Sequence, residues 1–144
     1  MAAFALVLLA ACSILRPTPQ LVRDGADHFT PQAQADAEAR LRALSDQHDV
    51  LLFVISERNG DPPRMLDAPM ADAAADGRPA MAILIVDGRL AGTGYSEEID
   101  DRFHSFAPPG AADRLFADGD PDGALDVIVR SYGAWARDPK PHSR

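Results

Sequence analysis

The chain is short of the features that usually announce a function. It has a single cysteine, Cys12, so no internal disulfide framework can staple it. It has no cluster of Lys and Arg: 14 basic residues stand against 22 acidic ones, for a formal net charge of −8. Phosphate backbones are bound by clustered cations, so the composition argues against nucleic acid. No apolar run reaches the ~20 residues that a membrane-crossing helix needs. There is no G-x-S-x-G elbow, no Walker loop, no H-E-x-x-H pair and no cysteine nucleophile in the body of the chain. Nor is there an internal repeat. What remains is a globular composition, 47% hydrophobic and 25% charged, in 144 residues, enough for one domain with a real core.

The rest is organised around residues 80–101. Met81-Ala82-Ile83-Leu84-Ile85-Val86 is too short for a lone helix and rich in β-branched side chains, which predicts a buried strand. Asp87-Gly88 follows. Both residues tolerate the positive φ of a type I′ turn, so a tight hairpin to a return strand over residues 89–94 is expected. Gly92-Thr93-Gly94 lacks the third glycine of a dinucleotide fingerprint and reads as a twist in an edge strand. Ser96 then reads as the N-cap of a helix whose first turn carries Glu97, Glu98, Asp100 and Asp101.

At the start of the chain, residues 2–11 form an apolar run that matches the core of a signal peptide, although the basic leader expected before it is missing. Leu9-Ala10-Ala11-Cys12 is similar to a bacterial lipobox, in which the cysteine is diacylated and becomes the new N-terminus. On this reading residues 1–11 are removed, residues 12–21 are a lipidated tether to the membrane, and the domain spans residues 22–137. The protein is then expected in the bacterial cell envelope, on the periplasmic or extracellular face. The alternative is a signal peptide or buried strand with an incidental free thiol.

Along the domain, Thr30-Pro31 marks a helix start, and Ala33, Ala37, Leu41 and Leu44 give it one buried stripe, with His48 as a favourable charge at its end. Residues 50–55 read as a second buried strand, residues 56–63 as a loop, and residues 64–75 as a short helix disturbed by Pro69. Ile99, Phe103 and Phe106 continue a helical stripe, Ala112, Leu115 and Phe116 make a short helix, and Asp120-Pro121 starts the last one. That helix buries Leu125, Ile128, Val129, Tyr132 and Trp135; residues 138–144 are expected to be a frayed tail. This order predicts an α/β fold, a small three-layer αβα sandwich whose mixed sheet carries helices on both faces.

Carboxylates are the candidates for chemistry. Asp118-Gly119-Asp120-Pro121-Asp122-Gly123 matches the first half of an EF-hand loop, but Val129 stands where the bidentate glutamate belongs, so helix capping is the better reading. Asp24, Asp76 and Asp101 each fall beside a helix start or strand end, where open α/β sheets place their sites. They are equally readable as caps or solvated acids. His28, His104 and His142 are expected at the surface, each without a partner.

Val22-x-Asp24-x-Ala26 before Thr30, Asp76-Gly77 before a strand, Gly92-x-Gly94 with Ile99 and Asp101, and Phe116-x-x-Gly119-Asp120-x-x-Gly123 together resemble the TPM domain family, over about residues 22–136. The likeness implies a small α/β sandwich and a divalent cation, calcium for preference, on Asp24, Asp76 and Asp101. Family members include acid phosphatases of the thylakoid lumen, photosystem-repair factors, a receptor modulator and bacterial envelope proteins. Ser96 stands where the family has a glutamate, and the segment before Asp76 is short. Two functions follow as expectations. One is a divalent-cation-binding envelope module that binds a protein partner through the acidic face of the sandwich; the other is a metal-dependent acid phosphatase acting on phosphomonoesters, in which the cation would polarise a phosphoryl oxygen and acidify bound water. Against the second, no Arg, Lys or His sits in the matched motifs to bind phosphate.

Overall fold

A computed structural model describes residues 19–141 of the chain. Cys12, the leader and His142 lie outside them. The elements are β1 (Val22–Asp24), α1 (Pro31–His48), β2 (Leu51–Glu57), α2 (Pro62–Met65), α3 (Asp67–Asp76), β3 (Ala80–Val86), β4 (Arg89–Tyr95), α4 (Glu98–Arg102), α5 (Gly110–Ala117) and α6 (Pro121–Ala136). The sheet runs β1-β2-β3-β4, the first two pairings parallel and the last antiparallel. The fold is the expected α/β sandwich. No helix among the described residues is long and apolar enough to cross a membrane.

β2 and β3 are buried along both faces, which explains their unbroken apolar runs. Each large side chain taken out of water there contributes on the order of 1.5–3 kcal/mol. The turn between β3 and β4 is the one the sequence announces: Asp87 and Gly88 have φ of 50° and 70°, as a type I′ turn requires. A bulge at Leu84/Ile85 then shifts the register of β4.

The register assigns faces. Phe53, Ala82 and Gly94 share one, and the side chain of Leu66 lies against Gly94 so closely that a Cβ there would collide with it. α2 and α3 cover this face. Leu52, Val54, Ser56, Met81 and Ile83 point to the other, where α1, α5 and α6 pack on one another and on the sheet. Tyr132 of α6 is fully buried there and donates its hydroxyl to the carbonyl of Phe53 at 2.8 Å. The steps from β1 to β2 and from β2 to β3 run in the same direction across the sheet, yet their helices lie on opposite faces. The two crossovers therefore have opposite hands, and one is left-handed, against the usual preference.

Four local expectations are corrected. Ser96 does not cap α4 with its hydroxyl; that oxygen accepts from Ala80 N at 2.9 Å, and helix capping passes to the Ser96 carbonyl, which accepts from Ile99 N. Phe103 and Phe106 are not helical, because α4 ends at Arg102 and the two rings leave it to pack on Trp135 and Tyr132, with centroids 4.5 and 5.0 Å apart. The short helix before β3 is two, α2 and α3, with Pro69 in the first turn of α3, where its missing N–H costs nothing. The tail is not frayed through residue 140: Phe103 bridges Pro139, and Lys140 N donates to the Arg102 carbonyl at 2.9 Å.

Candidate functional site

The connections after β1 and β2 leave for opposite faces of the sheet. Such a divergence opens a crevice at the carboxyl ends of the strands, the usual ligand site of open α/β sheets. Here those ends are Asp24 in β1 and Ser56-Glu57 in β2, which lie side by side in register or beside one another. The crevice is stitched across. Ala26 N donates to the Ser56 carbonyl at 3.2 Å, and Arg58 Nε donates to the Ala26 carbonyl at 3.0 Å. Asp24 uses both carboxylate oxygens on backbone, accepting from His28 N at 3.1 Å and Phe29 N at 2.8 Å. It thereby turns the chain out of β1, and Thr30 takes over as the N-cap of α1 by accepting from Ala33 N.

His28 is not the unpartnered surface residue expected. It is half-buried, and its Nδ1 lies 2.9 Å from Ser56 Oγ. A serine beside a histidine invites a nucleophilic reading. Ser56, however, has none of its surface exposed, so its hydroxyl cannot meet a substrate as the site stands. The sequence offered no signal for this pair, since its members are 28 residues apart and share no motif. At the β3 end, Asp87 accepts from Asn59 N at 3.1 Å and its own N–H donates to the Glu57 carbonyl at 3.0 Å. Beside the stitched crevice an open cleft of about 690 Å³ separates β1 and β2 from α2 and α3, with Arg23, Asp24, Glu57, Arg64 and Asp72 on its walls. Arg23 is held there by an ion pair with Asp72 and by the face of Phe53.

The other two aspartates lie at the far end of the sheet. Asp76 closes α3, where Gly77 in the left-handed region ends the helix, just before β3 begins. It is ion-paired with Arg78 at 2.5 Å, and Arg78 reaches Asp46 at 3.0 Å. The bond to Asp76 is the chief reason the guanidinium is held above its ordinary pKa, against the opposing effect of burial. Asp101 is exposed on α4, after the end of β4. Asp24 aligns through Ser56 with Ile85, five residues along β3 from Ala80, a span of about 17 Å at ~3.3 Å per residue. Ligands of one calcium ion sit at about 2.3–2.6 Å from it. The structure therefore separates Asp24 from Asp76 and Asp101, and one ion does not bridge the three. Among the described residues, no group of three or more His, Cys, Asp or Glu side chains is placed to hold a metal ion.

The EF-hand-like segment is spent on capping, as expected. Asp120 accepts from Gly123 N at 2.9 Å and caps α6, Asp122 binds Thr30, and Val129 is in the core. His104 is exposed, and its carbonyl accepts from Trp135 Nε1.

A second cleft, of about 670 Å³, lies at this far end between α3 and the β4–α4 junction, with Met70, Ala74, Pro79 and Tyr95 among its lining residues. Tyr95 is 51% exposed, the one large hydrophobic side chain so exposed among the described residues. Glu97, Glu98, Asp100 and Asp101 follow it, all exposed. None of the four carboxylates has an ion-pair partner among the described residues. Compared with protein-family models and with curated proteins, the chain matches neither a family nor a characterised relative.

Proposed function

We propose that this chain is a lipid-anchored module of the bacterial cell envelope, TPM-like in its motifs, that binds a protein partner and does not turn over a small substrate. The observation that supports this reading is how the titratable groups at the two ends of the sheet are used. At the carboxyl ends of the strands, Asp24, His28, Ser56 and Asp87 are all engaged in holding loops. At the far end, an exposed tyrosine beside an open cleft and a run of unpaired acids is left to solvent. Anchoring rests on Cys12 and the small residues before it, and would hold this domain close to the membrane surface.

A phosphatase is the second reading. In its favour is the cleft beside Asp24, which carries Glu57 and Arg64 at the position where α/β enzymes bind substrate. Incubating the purified protein with an aryl phosphate, with and without calcium or magnesium, separates the two. No turnover above a mock preparation is expected. Metal-dependent turnover that is lost in Asp24→Asn would overturn the binding-module reading in favour of the enzyme.

A further inference from the structure

The two edges of the sheet are finished differently. β1 is three residues long, and the carboxylate of Glu38 in α1 covers its start, accepting from Leu21 N and from Val22 N at 2.7 Å. An edge so short and so capped offers little to pair with. β4 is seven residues long. Its first half is guarded by α5, where Asp113 accepts the outward N–H of Leu90 at 2.8 Å. The second half has no such guard. Ser96 N donates to the Ala80 carbonyl, and this sets the phase of the β3–β4 ladder. By alternation Gly94 and Gly92 then bond to β3, while the N–H and C=O groups of Thr93 and Tyr95 point away from it. No segment among the described residues bonds these four groups.

We propose that this outer edge of β4 receives an extended, cationic segment of a protein partner, which adds to the sheet as a fifth strand. The proposal rests on the binding-module reading above and names its surface. The unpaired edge supplies two donors and two acceptors in strand geometry. Tyr95 supplies an exposed ring for apolar contact. The charge of the occupant follows from complementarity: a chain leaving the edge past Tyr95 meets Glu97, Glu98, Asp100 and Asp101, four exposed acids whose carboxylates have no ion-pair partner among the described residues, the nearby Lys140 ammonium being bonded to the Asp100 carbonyl instead. An acidic segment would be repelled there, as would a second copy of this chain, with its net charge of −8.

The probe is a dye-labelled eight-residue peptide of alternating valine and lysine, followed by fluorescence anisotropy with the purified domain. Saturable binding is expected, weakened by salt and absent for the valine–glutamate counterpart. Methylating alternate backbone nitrogens of the peptide should lower affinity at least tenfold, because it removes donors without changing charge. Thr93→Pro should do the same from the protein side. Proline is tolerated where an edge N–H faces solvent, and retention of the near-ultraviolet circular dichroism spectrum checks that the variant folds. Equal binding of the methylated and unmethylated peptides by the wild type would overturn the proposal, and needs no variant. No binding of the lysine peptide would overturn it too, while leaving the aryl phosphate result as a separate test of the broader reading. Sedimentation as a dimer that Thr93→Pro dissociates would assign the edge to a second copy and overturn it as well.

Discussion

Asp122, in the first turn of α6, grips the residue that caps α1: its carboxylate accepts from Thr30 N at 2.9 Å and from Thr30 Oγ1 at 2.6 Å, across 92 residues of sequence. One acid thus serves two helix starts, favouring the positive end of its own helix and fixing the cap of the other. Because both bonds are charge-assisted, Asp122→Ala should cost on the order of 1–3 kcal/mol in urea unfolding. A double-mutant cycle with Thr30→Ala should give a coupling above about 0.5 kcal/mol. Additive losses would mean that the two side chains do not act as one unit.

Tyr132 gives the fold an alkaline limit. Burial holds its phenol well above the ordinary value, and the hydroxyl is bonded to the Phe53 carbonyl as a neutral donor. A raised folded pKa means that the stability contributed is intact below the unfolded value of about 10 and is lost as pH rises beyond it, since the unfolded chain ionises first. Tyr132→Phe should therefore cost about 1 kcal/mol at pH 7 through the lost hydrogen bond. The same variant should be the more resistant protein to urea near the alkaline end. Parallel loss of stability with pH in both proteins would rule out this role for the phenol.

Gly94 marks where α2–α3 comes closest to the sheet. A Cβ there would run into the side chain of Leu66, which also packs against the core. Gly94→Ala should cost on the order of 1–3 kcal/mol by overpacking. Pairing it with Leu66→Ala should recover part of that loss, as read from melting temperatures. Were Gly94→Ala neutral, the contact between the two layers would be looser than the structure shows.

What was legible in the sequence was legible locally. β2 and β3 announce themselves because strands buried on both faces carry continuous apolar runs, and the turn after β3 does so because Asp87-Gly88 meets its backbone demand between two such patterns. The starts of α1 and α6 are equally local, each a capping side chain followed by proline. Apart from the split of α2 from α3, the structure departs from the sequence pattern where partners are remote in sequence. β1 has three residues and little hydrophobicity, and it exists because β2 pairs with it and Glu38 covers it. His48 fits a favourable charge at the end of α1, yet its Nε2 is buried without a hydrogen-bond partner, and Arg102 of α4 supplies the cation by donating to the His48 and Asp49 carbonyls. Phe103 and Phe106 fit a helical spacing, and only the presence of Trp135 and Tyr132 explains why they leave it. The same holds for the candidate site. Of the three aspartates only Asp24 ends a strand, while Asp76 closes α3 and Asp101 lies within α4, and sequence position does not say which end of the sheet each faces.

The most direct measurement is the melting temperature of the domain, with calcium, with magnesium and in chelator, for the wild type, Asp24→Asn and Asp101→Asn. Asp24 holds two backbone N–H groups, so Asp24→Asn should melt lower in every buffer, by an amount that metal does not change. Asp101 is exposed and unpaired, so Asp101→Asn should melt with the wild type, and neither should respond to either ion. A rise in the wild-type melting temperature with calcium that disappears in both Asp24→Asn and Asp101→Asn would contradict this, because it would require one ion to join two aspartates that the sheet holds at opposite ends.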